Sequence, residues 1–224
     1  MKAWLVVEPK PAPELLEQGI EDAQDLIAYC ARVSNPANQF NTETGEKLIK
    51  YLIKHKHWSP LEMVSATIGI ETTRDIAHQI IRHASFRFQE FSQRYADPAE
   101  FGYQFVIREA RMQDEKNRQN SIPCEDKEIQ RAWVVKQQQI IHEAKLAYNW
   151  AIENGIAKEQ ARVVLPEGNT KTRLYMHGTL RSWVHYIELR SGNGTQREHI
   201  EVAKSVATAI YRIFPMIDEF IQKD

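Results

Sequence analysis

From Arg82 to Tyr95 the chain reads Arg-His-Ala-Ser-Phe-Arg-Phe-Gln-Glu-Phe-Ser-Gln-Arg-Tyr. These fourteen residues hold three arginines, one histidine, one glutamate, two serines and four aromatic rings. A core segment would not accept so many cations, because a buried unpaired charge is very costly. A plain surface segment has no need of that much aromatic area. Planar guanidinium groups grip phosphates in bidentate fashion, and aromatic faces accept a base or a flavin. The run suits a site that holds an anionic group and a flat ring together, as a nucleotide requires.

The elements around this run must position it. Residues 1 to 8 read as a short strand stopped by prolines. Glu14 to Val33 has helical spacing, interrupted at Gly19, and Ser34-Asn35-Pro36 ends it. A second helix is expected from about Asn41 or Thr42 to His57. Leu61 to Thr72 alternates, with Val64, Ala66, Ile68 and Ile70 on one face, as a half-buried strand does. A helix over roughly Thr73 to His83 would put Gln79, Arg82 and His83 on one face. Beyond Ser85 the period shortens towards two, placing Glu90, Ser92 and Arg94 on one side of an extended segment. Ala110 to Asp126 is polar and uneven, which suits a mobile excursion or an insertion. Residues 126 to 154 carry the longest helical pattern, stopped by Asn154-Gly155. A short helix to Leu165 precedes the turn Pro166 to Asn169. Thr172 to Thr179 reads as strand, Leu180 to Leu189 as helix, and Thr195 to Ile213 as helix.

The 224 residues are 42% hydrophobic and 26% charged, as in a soluble globular protein. We read one α+β domain over residues 1–224, mostly helical with a small antiparallel sheet. A net charge of −1 gives no global attraction to nucleic acid or to a membrane surface. Positive charge is local instead: residues 78 to 95 hold three Arg and two His against one Glu. Cys30 and Cys124 lie far apart without metal spacing, which reads as reduced thiols and a cytoplasmic protein. No apolar run approaches the ~20 residues of a membrane span, and the N-terminus lacks a signal-peptide pattern. His55 and His57 stand two apart without a supporting cluster, so no metal site is expected.

The order Arg82-His83-Ala84, seven residues, then Ser92 resembles the signature of the flavin-dependent thymidylate synthases (the ThyX family). Glu90 before that serine, and Arg94-Tyr95 after it, extend the match. Further similar segments cover most of the chain: Ala31-Arg32-Val33-Ser34, His57 to Glu62 around Ser59-Pro60, Gln79, Arg162 to Pro166, Arg181-Ser182, Leu189-Arg190, and then Gln196 and Glu198. The resemblance implies a ThyX-like fold and the reductive methylation of dUMP to dTMP. It implies FAD as cofactor, with NADPH and 5,10-methylenetetrahydrofolate as cosubstrates. It also implies a homotetramer with active sites between subunits.

By the same resemblance, Gln79, Arg82, Glu90, Phe91, Ser92, Gln93, Arg94, Arg162 and Arg190 fall to dUMP. Ser34, Ser59, Arg82, His83, Ser85, Arg181, His185 and Thr179 fall to FAD. Arg190 is the expected catalytic residue, its fixed charge lying along the uracil edge. Ser92 has no evident base beside it and is assigned to binding. Two motif positions depart from the pattern: Ala84 stands where Arg is usual, and Arg87 where Ser is usual. Arg87 is a stand-in for the missing charge three residues earlier. Thr179 and His185 occupy positions where the family commonly has asparagines.

Each residue also has a plainer reading. Alone, His83 is a helix-end histidine, Glu90 a partner for Arg87 or Arg94, and Arg181 and Arg190 a solvated helix face. Nine residues is half a turn out of phase, so Arg190 must lie near its helix end to share a site with Arg181. Phe86, Phe88 and Phe91 suit core packing, Ser34 and Ser59 suit turns or caps, and Trp133 and Trp150 suit core or subunit contact. Three rival functions remain: a flavoenzyme modifying dUMP differently, a catalytically silent nucleotide-binding regulator, and a single-strand nucleic-acid platform.

Overall fold

The computed structural model describes residues 1–97 and 105–222. Its centre is a four-stranded antiparallel sheet of β1 (Lys2–Val7), β2 (Ser65–Thr73), β3 (Arg87–Glu90) and β6 (Lys171–Thr179), in the order β1-β2-β6-β3. β2 and β6 pair along their full length, from Ser65↔Thr179 to Thr73↔Lys171. Val64, Ala66, Ile68 and Ile70 are buried, as their alternation requires. Gly69 is buried too, because the Trp4 ring of β1 lies where its Cβ would be.

Helices cover the sheet. α1 (Pro13–Leu16) and α2 (Ala23–Ala31) are separated at Gly19, whose φ of +83° favours glycine. Asp22 caps α2 by accepting from the amides of Gln24 and Asp25. α3 (Gly45–Lys54) packs on α2, and a 3₁₀ turn at Ser59–Glu62 precedes β2. α4 (Arg74–Ile80) leads to β3, while α7 (Leu180–Arg190) follows β6 directly. α8 (Arg197–Tyr211) crosses β1 and β2, and its Ser205 Oγ accepts from Ala3 N at 2.8 Å. Trp183, Tyr186, Val202, Val206 and Phe214 fill the core between sheet and helices.

α5 (Lys127–Glu153) begins at the Asp126 cap and ends before Gly155, whose φ is +76°. It packs on α6 (Lys158–Ala161) and the 3₁₀ segment Arg162–Val164. Gln137 on α5 exchanges hydrogen bonds with the Arg108 backbone and accepts from Asn169 Nδ2. Among the described residues no helix is long and apolar enough to cross a membrane.

Four expectations change. Residues 110 to 126, read as a mobile excursion or an insertion, hold a paired hairpin, β4 (Arg111–Gln113) with β5 (Ser121–Pro123). α4 closes at Ile80, so Arg82 and His83 lie in the following turn, with His83 N bonded to Ile80 O. β3 ends at Glu90, and Phe91 N makes the last bond to β6 at Arg173 O. Tyr95 and Ala96 amides then return to Ser92 O, so Ser92 opens a turn and does not continue the strand with Glu90 and Arg94. Trp133 and Trp150, read as core or subunit contact, are 44% and 60% exposed, which excludes the core reading.

Candidate active site

Arg190 is the last residue of α7, and its Nε donates to His83 Nε2 at 3.0 Å. Arg181 and Arg190 stand at opposite ends of α7, so within this chain they belong to different groups of side chains. Accepting that bond requires an unprotonated His83 Nε2. Burial, then the Arg190 charge, push the His83 pKa down to about 4, so the ring is neutral at pH 7. Arg190 therefore keeps its positive charge beside an uncharged acceptor.

Behind this pair lies a partly buried polar row, of which the sequence had pointed to Gln79, Gln196 and Glu198 but not to His199 or Arg111. His199 on α8 is fully buried, with its ring 6.4 Å from that of His83. Its Nδ1 is 3.1 Å from Gln79 Oε1 and its Nε2 is 3.1 Å from the Tyr186 hydroxyl. Gln79 Nε2 donates to Gln196 Oε1 at 2.8 Å, and Gln196 Nε2 donates to Glu198 Oε2 at 2.9 Å. Arg111 of β4 closes the row with bonds of 2.7 and 2.9 Å to the two Glu198 oxygens. Burial alone would raise the Glu198 carboxyl. The hydrogen bonds from Arg111, its own backbone amide and Gln196, with the Arg111 charge, hold it below the usual range. A histidine within the apolar stripe Val202, Ala203 and Val206 was the sequence signal for this row.

The row borders a cleft of about 1530 Å³ between the hairpin, the end of α7 and the start of α8. Arg111, Trp133, Glu188, Leu189, Gln196 and Arg197 are among its walls. That exceeds the ~300–1,000 Å³ of a typical small-molecule site.

A second group gathers at the other end of α7. Thr179 caps this helix, its hydroxyl accepting from Ser182 N at 3.3 Å. Arg181 Nη1 pairs with Glu62 of the Ser59–Glu62 turn, and His185 stands edge-on to Trp58 at 4.7 Å. Burial, then Arg181, lower the His185 pKa, with Glu188 opposing. Arg181 Nε is buried without an acceptor among the described residues. A buried donor left open in this way fits an acceptor-rich ligand such as a flavin nucleotide. Ser59 and Thr179 thus serve as turn and cap whatever else they bind.

Other expected residues stand apart. Ser34 is exposed at a cleft of about 500 Å³ shared with Arg32, Asn38, Thr44 and Lys47. Buried Arg32 is held there by Asn41 O and Thr44 Oγ1. Glu90 is turned inward, bound to Arg74 at 3.2 Å and Thr172 at 2.8 Å, in place of the Arg87 or Arg94 partner of its plainer reading. Arg94 pairs with Glu159 at 3.5 Å, and Arg162 Nε donates to the Glu159 carbonyl at 3.3 Å. Gln93 is buried with no partner for its Nε2 among the described residues, and Phe91 and Ser92 are half-buried. Arg82 and Ser85 are exposed in the turn that His83 occupies. Arg87 Nη1 folds back onto the carbonyls of Ala84 at 3.3 Å and Phe86 at 3.0 Å.

A family model described as "Thymidylate synthase complementing protein" matches residues 14–216. A "Probable flavin-dependent thymidylate synthase" from Paramecium bursaria Chlorella virus 1 is 48% identical over 217 residues, covering 97% of each chain. The chain belongs to the flavin-dependent thymidylate synthase family. A family member from Synechocystis is 45% identical over 206 residues, covering 92% of this chain and 93% of its own. The crystal structure of a UMP/dUMP methylase, PolB from Streptomyces cacaoi, bound with 5-Br dUMP, superposes with a TM-score of 0.80. It is 23% identical and covers 98% of this chain and 93% of that one, so it supports the α+β family fold.

Proposed function

We propose that the protein is a flavin-dependent thymidylate synthase that methylates dUMP reductively to dTMP. The observation that carries this reading is the Arg190–His83 bond, which joins two parts of the family pattern across 107 residues of sequence. 5,10-Methylenetetrahydrofolate gives its methylene carbon and leaves as tetrahydrofolate, and NADPH is the reductant. FAD is the flavin: bound, it supplies the hydride that completes the methyl group.

The chain's own residues bind, orient and stabilise. Arg82, Ser92, Arg94 and Arg162 supply cations and a hydroxyl for the nucleotide phosphate, with Gln79, Glu90, Phe91 and Gln93 around the nucleoside. Arg190 lies along the uracil edge and stabilises the negative charge that makes C5 nucleophilic. His83, neutral, takes one Arg190 N–H and so sets the plane of the guanidinium. Ser34, Ser59, Arg82, His83, Ser85, Thr179, Arg181 and His185 hold FAD. No protein thiol is needed, and burial pushes the Cys30 thiol up, away from thiolate.

Arg94 and Arg162 face Glu159 while Arg190 faces His83. The family resemblance adds a homotetramer with active sites between subunits. The exposed Trp133, Ile140, Leu146 and Trp150 of α5 supply apolar area for its contacts. The chain would act as a single cytoplasmic domain over residues 1–224.

The test is an anaerobic reaction of protein, FAD, NADPH, methylenetetrahydrofolate and dUMP, with each component omitted in turn and products read by mass spectrometry. dTMP is expected in the complete mixture alone. A hydroxymethylated product would replace this reading with the related chemistry. Binding of FAD and dUMP without any modified nucleotide would favour a silent regulator.

A further inference from the structure

The polarity of the partly buried row can be assigned from one end to the other. Glu198, as a carboxylate, only accepts, and Arg111 donates to both of its oxygens. Gln196 must then turn its nitrogen to Glu198 and its oxygen to Gln79. Gln79 in turn donates from Nε2 to Gln196, which leaves Oε1 facing His199 Nδ1. An amide oxygen needs a donor, so His199 Nδ1 carries the proton. His199 Nε2 is then bare and accepts from the Tyr186 hydroxyl. Each member has its direction fixed by the next, with an anion at one end and a buried phenol at the other.

We propose that His199 is a positioning residue for the nucleotide: its Nδ1–H anchors the oxygen end of the half-buried Gln79 carboxamide while Gln196 anchors the nitrogen end, so the amide is held from both sides. The proposal rests on the reading that Gln79 meets dUMP. Gln79 has one remaining N–H and one remaining oxygen lone pair to offer a ligand. A pyrimidine nucleotide presents donors and acceptors in fixed places, so an amide free to flip would meet it wrongly part of the time. His199 is suited to a fixed role, because burial, then the charge of Arg190 and the nearby His83, push its pKa down to about 3. It stays neutral, with one donor and one acceptor, throughout the physiological range.

The experiment titrates dUMP into the FAD-loaded protein and compares His199→Asn with His199→Gln. The asparagine amide can stand where Nδ1 was and still donate to Gln79. The glutamine amide reaches towards the Nε2 position and faces Tyr186. His199→Asn is expected within about threefold of the parent Kd, and His199→Gln about tenfold weaker, the scale of one hydrogen bond. Flavin content and melting temperature should be alike in the two variants, which a merely structural role would not combine with different affinities. Equal dUMP affinity in the two variants would overturn the proposal.

Gln79→Ala separates the two layers of inference. Unchanged dUMP affinity in Gln79→Ala removes Gln79 from the nucleotide site, and the proposal falls with that assignment. Weakened binding in Gln79→Ala, with no difference between the histidine variants, overturns the positioning role alone. If a histidine variant does not fold, Tyr186→Phe serves, since it removes the hydroxyl that holds the His199 ring in place for Gln79. Weaker dUMP binding at unchanged flavin content supports the proposal, and parent-like affinity overturns it.

Discussion

Arg190 Nε and His83 Nε2 are 3.0 Å apart, a permanently charged donor held by a neutral imidazole. A histidine accepts in this way only while unprotonated, and the neighbouring guanidinium helps to keep it so. The pair is a charge with a fixed orientation, which a developing negative charge on a ring requires.

Replacing Arg190 by alanine should remove that charge and leave the fold intact. Turnover is expected to fall by about 10²–10³-fold, the scale for one preorganised electrostatic donor. Flavin content should remain near the parent level. The His83 pKa, followed by NMR, should rise because the adjacent cation is gone, yet stay below 6.5 because burial is the larger cause. Near-normal turnover would remove Arg190 from the chemistry.

Arg87 Nη1 donates to the Ala84 carbonyl at 3.3 Å, at the residue where the family pattern places arginine. Arg87→Ala is expected to weaken FAD binding by about tenfold, and adding Ala84→Arg should recover most of it. Fluorescence titration of the apoprotein with FAD measures both. An unchanged FAD affinity in Arg87→Ala would show that Arg87 replaces nothing.

His83 and His199 have folded pKa values of about 4 and about 3, both below the ordinary 6.5. Unfolded, they bind protons that the folded state excludes, so each penalises folding in acid. Their stabilising contribution is whole above pH 6.5 and is lost as pH falls through 6.5 towards 4 and 3. Urea unfolding from pH 7.5 to 4.5 should show this decline, with a shallower slope in His199→Asn. A slope identical in parent and variant would contradict the buried neutral state of His199.

Gly178 sits beneath Phe86, whose ring lies where a Cβ would be, and Phe86 is itself held against Trp183. Gly178→Ala should therefore cost about 1–3 kcal/mol by overpacking. It should also disturb His83, whose ring stands 6.4 Å from that of Phe86. Thermal unfolding checks the first effect and dUMP affinity the second. A parent-like melting temperature would mean that the ring moves aside freely.

The strands and long helices were legible because local signals agreed with the fold. The alternation from Val64 to Ile70 survives at β2, and the Asn154-Gly155 stop ends α5 as expected. The ends of α4 and β3 were not legible. His83 and Ser92 lie in turns defined by backbone bonds to Ile80 and from Tyr95, with no Gly or Pro to mark them. The hairpin was hidden for another reason: Arg111 finds Glu198 across 87 residues, and no local period reports such a partner. His199 was missed because Gln79, Gln196 and Tyr186 satisfy it from three different elements. The motif itself was plain, because its residue types are too polar and too aromatic for any ordinary segment.

Bound flavin, under the proposed function, is the reductant that completes the methyl group. A single-turnover experiment tests this directly. Protein with its flavin reduced, free of NADPH and oxygen, is mixed with dUMP and methylenetetrahydrofolate, and flavin absorbance and dTMP are followed together. One dTMP should form for each flavin oxidised, with both products absent when folate is withheld. Formation of dTMP while the flavin stays reduced, or flavin oxidation without dTMP, would contradict the account.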